Sequence, residues 1–243
     1  METAIKVLGL LPWTDWAAVL VFFTGWAGYV IFAKRRSTQR PSLLDTTNRI
    51  RRQWMLQSTY REVRVVDGVI IQNLSTSPSF FASTTILIIG GLLAVLGTTE
   101  KASELVREIP FAARTSVLVF DLKVVLMLGI FVYAFFRFTW SMRQYTFGAL
   151  LVGAMPERDQ LAAMGAEGEA LRQASAERAG HVVAMAAETF NDGLRAYYFA
   201  FAAIGWFFSP LIFAVATAGV VWILYQREFR SEALAVLTHP EPR

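Results

Sequence analysis

The 243-residue sequence contains no cysteine. Disulfides, thiolate zinc or iron–sulfur sites, c-type haem attachment and cysteine nucleophiles are thereby excluded. Two histidines are too few for a histidine-rich metal site. Neither lies in a long apolar run, so a bis-histidine haem between membrane helices is excluded as well. Charge is scarce: 17% of residues are Asp, Glu, Lys or Arg, where soluble domains carry about a quarter. There is no Gly-x-Ser-x-Gly, phosphate-binding loop or Gly-x-Gly-x-x-Gly. Glu177, His181 and Glu188 share a helical face but lack the number and spacing of metal ligands. No catalytic residue, metal or cofactor is expected, and the protein is not read as an enzyme.

What is abundant is apolar. Hydrophobic residues make up 55% of the chain and mean hydropathy is +0.43. Four runs are long enough to cross a bilayer, which takes about 20 helical residues. They are 16–33, 80–96, 115–136 and 197–225. The last is uncharged and holds Pro210 near its middle, which predicts a tilted or kinked span. Between the runs, 46–74 and 158–195 read as helical extensions, the second with a break near 166–168 where glycines gather. The expected fold is all-α: a polytopic membrane bundle of four transmembrane helices with long cytoplasmic helical extensions, in one domain over 1–243.

Sidedness follows from the basic residues. The segments 34–79 and 137–196 hold fifteen Lys and Arg against seven in the other flanks. The positive-inside rule puts both long segments in the cytoplasm and, with four spans, both termini outside. Lys34-Arg35-Arg36 reads as a stop-transfer cluster, so the first span is expected to stay rather than be cleaved. The pI of about 9.6 is then mostly this signal, and nucleic acid is not an expected partner.

Within 46–74, Ile50, Trp54, Val65, Val66, Val69 and Ile70 form an apolar side. Arg51, Arg52, Arg61 and Arg64 form a basic side, suited to anionic lipid head groups. Ser77-Pro78 predicts a helix stop and a new capped start at the mouth of span two. A helix start offers free amides with partial positive charge, so Asn73, Ser79, Ser83 and Thr84 are candidate pore or anion-binding residues. Asp121 and Lys123 are costly inside a span and are functional candidates by default. They lie about 200° apart on a helix. Asp121 shares a face with Arg114 instead. Asp67, an acid in an apolar run, is expected to pair with an arginine. Small residues at Thr24, Gly28, Gly90, Gly91, Ala94, Ala214 and Ala218 mark close helix packing.

Several stretches form a recognisable pattern. They are Arg51-Arg52-Gln53-Trp54-Met55, Asp67, Asn73-Leu74, 80–85, 90–94, 191–199, Trp206, Pro210 and 225–229. In these the chain resembles, over about 46–231, a family of polytopic membrane proteins known only as a domain of unknown function, in proteobacteria and plants. The resemblance implies an integral membrane domain, in a bacterial inner membrane, and supplies no catalytic residues. Asn191 and Arg195 of the pattern fall near the same boundary as Asn73 and Ser83 and join the candidate set.

Two functions follow as expectations. One is a homo-oligomeric channel or transporter for a small ion or solute, an anion by preference, with its path among copies. The other is a non-transporting scaffold that binds a protein partner or anionic membrane lipid through its cytoplasmic helices.

Overall fold

The computed structural model of the chain describes residues 11–37, 39–108 and 116–238. It is helical, without strands among the described residues. The helices are α1 (Trp13–Ser37), α2 (Leu43–Ser58), α3 (Val65–Gly97), α4 (Thr99–Glu108), α5 (Val117–Gly153), α6 (Arg158–Ala163), α7 (Ala166–Ile204), α8 (Pro210–Phe229) and α9 (Glu232–Thr238). α1, α3, α5 and the segment Pro210–Thr238 are long and apolar enough to cross a membrane. At 37 residues, α5 exceeds the ~20 that a hydrocarbon core needs; α7 runs for 39 residues. Arg114 and position 115 lie outside the described residues.

The chain divides into two compact units. The first takes its described residues from 1–40, 85–134 and 194–227. Its centre is aromatic: Phe22, Phe199, Phe213 and Trp206 are all buried. Trp26 stacks on Phe199 at 5.0 Å and Trp206 on Phe213 at 5.3 Å. Such pairs add about 0.5–1.5 kcal/mol each beyond the area they bury.

Helix directions in this unit follow from its contacts. Asp15 meets Trp206, Phe22 meets Phe199, and Arg195 lies over Tyr29, so α1 and the end of α7 are antiparallel. Phe22 also meets Phe213 and Phe32 meets Tyr225, so α1 and α8 are parallel. The stretch 197–225 is therefore two helices in opposite directions, not the single span expected. A 3-10 turn, Gly205–Phe207, ends α7. Ser209 then accepts from the Ile212 amide at 3.1 Å, and Pro210 opens α8. Ser-Pro here is a helix start, because proline lacks the amide that a first-turn residue leaves unused.

The second unit takes its described residues from 41–84, 135–193 and 228–243. Met55, Ile71, Tyr145, Val152, Ala179 and Val183 form its core. Small residues on α7 let the helices approach closely; a Cβ on Gly193 would stand 2.4 Å from the Phe138 ring. Ser42 caps α2 by accepting from the Asp45 amide at 3.1 Å.

Two further expectations fail in this unit. The extension 46–74 is broken between α2 and α3, and its apolar side points outward: Ile50, Val65, Val66, Val69 and Ile70 are all exposed. The helix does not restart at Ser77–Ser79 either, since α3 runs unbroken through Pro78. Proline inside a helix removes one backbone bond. The bond lost here is the one to the Leu74 carbonyl, four residues back; Ser75 and Thr76 donate instead to the Gln72 carbonyl, at 3.0 and 3.2 Å. The break expected at 166–168 falls just before, at Met164 and Gly165, where Gly165 adopts a φ of 58°.

Candidate functional site

The charged candidates of the first unit are held inside it. Lys123 is only 2% exposed. Its ammonium donates to the Trp206 carbonyl at 2.8 Å and lies 5.5 Å from the Trp206 ring. The Trp206 indole donates to buried Asp15 at 2.6 Å. Carbonyls at a helix end lack intrahelical donors, and in an apolar surrounding each must find one. Lys123 supplies that donor at the α7 turn and Asp15 fixes the ring beside it. Asp121 faces elsewhere and accepts from the Thr99 hydroxyl at 2.8 Å. Arg195 is buried with its guanidinium 5.7 Å from the Tyr29 ring.

The basic candidates of the second unit are also largely engaged. Arg64 donates to the Ser58, Met155 and Pro156 carbonyls. Arg61 pairs with Asp67, which is fully buried and also accepts from the Trp54 indole at 2.7 Å. The pairing expected for Asp67 is thus present, and its second oxygen is buried without a partner among the described residues. Arg51 donates to Thr47 and Asn48. Burial lowers the Arg51 guanidinium below its ordinary pKa, and nearby Tyr145 and Glu188 counter part of that shift. Arg52 remains exposed. Asn191 is half-buried beside Asp192, which pairs with Arg137.

One polar row differs from these. On α3, Asn73, Thr76, Ser77, Phe80 and Ser83 recur at helical spacing and are all exposed. Thr76 and Thr84 satisfy their hydroxyls on the carbonyls of Gln72 and Phe80. Asn73, half-buried Ser79 and Ser83 have no partner among the described residues. The row carries neutral donors and acceptors and no titratable group. α3 is also the least covered of the four apolar helices: 11% of its apolar stretch is buried, against 39% for α5. The inward hydroxyl of α3 is Thr85, which is buried and bonded to Tyr197 at 2.7 Å.

Sequence reasoning gave no role to Asp15 or to the Asn48–Glu188 bond of 2.9 Å, and met Trp206 and Thr85 only as members of the family pattern and, for Thr85, of the hydroxyl cluster. An acid between Trp13, Trp16 and the first apolar run was a readable signal for Asp15. The others carry none apart from the fold.

A family model described as a protein of unknown function, DUF599, matches residues 17–233. The chain belongs to this family. The match takes in α1, which the resemblance expected from 46 onward did not reach. DUF599 membership is consistent with the four apolar helices and assigns no activity. No curated protein and no solved structure matches the chain.

Proposed function

We propose that this DUF599 protein is a homo-oligomeric membrane channel or transporter for a small ion or polar solute, with copies meeting along the exposed face of α3. The observation that carries the reading is the unpartnered, outward row of Asn73 and Ser83 on the least covered apolar helix. Polar groups facing lipid are costly, and a second copy would satisfy them. Exposed Gly90 and Gly91 on the same helix suit close approach of another helix. The preference for an anion is dropped, because it rested on free amides at a helix start that unbroken α3 does not have.

The same proposal takes the end of α7 as a fifth crossing, with the chain's ends on opposite sides of a bacterial inner membrane. The basic residues favour this arrangement. Putting Arg227, Arg230 and Arg243 in the cytoplasm raises the inside excess from fifteen against seven to eighteen against four.

Ion flux into proteoliposomes tests the function, with Ser83→Ala plus Thr84→Ala as the altered pore. The absence of cysteine lets Ser83→Cys report the contact, with Leu20→Cys, on α1, as the exposed control. Selective flux changed by the double substitution, and a dimer from Ser83→Cys alone, support the reading. Absence of flux and of cross-linking from folded protein overturns it. That outcome favours the scaffold, a reading supported by the internal engagement of Lys123, Asp121, Arg61 and Arg64 and by exposed Val63, Val65 and Val66.

A further inference from the structure

The first unit has an open apolar groove of about 640 Å³ between α1 and α5. Phe23, Ala27 and Ile31 form one wall; Val125, Gly129 and Tyr133 form the other. Ala27 and Gly129 are the small residues that keep it open, and nothing lies within 4 Å of a Cβ built at Gly129. Both helices have the length and composition of membrane spans, so a groove open along them faces hydrocarbon.

One end of the groove is basic. Lys34 lies one turn beyond Val30 on the groove-lining face of α1. It is exposed and its ammonium has no partner among the described residues. Arg35 flanks it. A second copy is a poor occupant, because copies related by an axis along the membrane normal would set Lys34 at the same depth as its counterpart, like charge against like. A phosphate carried on acyl chains answers both features at once.

We propose that this groove binds an anionic phospholipid, with an acyl chain against Ala27 and Gly129 and the phosphate at Lys34. The site is independent of the α3 reading, and lipid retention is measured without any flux. Detergent-purified protein is titrated with phosphatidylglycerol or phosphatidylcholine, and bound lipid is counted by native mass spectrometry. The wild-type chain should retain phosphatidylglycerol preferentially. Lys34→Gln should cut that preference about fivefold, the effect of one basic residue near an anionic surface. Gly129→Leu should reduce retention of both lipids. Equal retention of the two lipids by the wild type, or an unchanged preference in Lys34→Gln, overturns the proposal, as does a dimer that seals the groove. Lys34→Gln changes an exposed side chain and decides the matter even if Gly129→Leu fails to fold.

Discussion

Ser77-Pro78 and Ser209-Pro210 are the same dipeptide in two settings. The first lies inside α3, and the helix passes through it. The second opens α8, directly after α7 has ended in a 3-10 turn. The dipeptide itself does not decide between the two. At 205–209 the chain is turned by groups from elsewhere in its unit: Lys123 takes the Trp206 carbonyl and Asp15 takes the Trp206 indole. At 75–79 the described interactions are local, from hydroxyls to carbonyls one turn back. At Ser209-Pro210 a tertiary donor takes the Trp206 carbonyl that the proline leaves free, and the helix has ended; at Ser77-Pro78 the helix runs on.

Breaking the turn's anchor should have the largest effect. Lys123→Met leaves the buried Trp206 carbonyl without its donor and takes away a positive charge that interacts through space with buried Asp15. A loss of about 3–5 kcal/mol is expected in denaturant unfolding in detergent. Adding Asp15→Asn should restore part of it; a double variant no more stable than Lys123→Met would show that the charge is not what matters. Pro78→Ala should go the other way. It restores one helix bond and removes an interior proline worth about 3 kcal/mol, while two buried methylenes are lost at about 0.8 kcal/mol each. The net gain should be about 1 kcal/mol, read as a higher melting temperature, and a clear loss would mean that the ring itself is needed. Ser209→Ala removes the α8 cap and should cost about 1 kcal/mol by the same assay. Pro210→Ala should be smallest, within about 0.5 kcal/mol, since a first-turn amide is unused in either case. Equal effects at the two prolines would erase the contrast.

These particulars also show what could be read in the sequence. The first three apolar helices, the break beside Gly165, the Asp67 partner and the cost of Lys123 all follow from local composition, which hydropathy and charge report directly. The end of α7 was hidden. It carries Asp192 and Arg195, and one side of it is covered: Ala196, Phe199, Ala200, Ala202 and Ala203 are buried, while Phe201 and Ile204 are exposed. The charges fall early and the last turns are apolar, so hydropathy merged those turns with α8. The outward row on α3 was noticed as hydroxyls, but whether they faced in or out depends on Thr85 being the one that turns inward. That choice is set by Tyr197, 112 residues away.

The α7–α8 hairpin is the centre of this account, and the cysteine-free chain allows a direct test. Thr14→Cys, Phe208→Cys and Gln226→Cys, each in an otherwise unaltered chain, can be treated with a membrane-impermeant thiol reagent from one side of sealed vesicles. The account predicts that Thr14→Cys and Phe208→Cys label from the same side and Gln226→Cys from the other. Labelling of Thr14→Cys and Gln226→Cys from one side, with Phe208→Cys protected from both, would mean a single span over 197–225 and would contradict it.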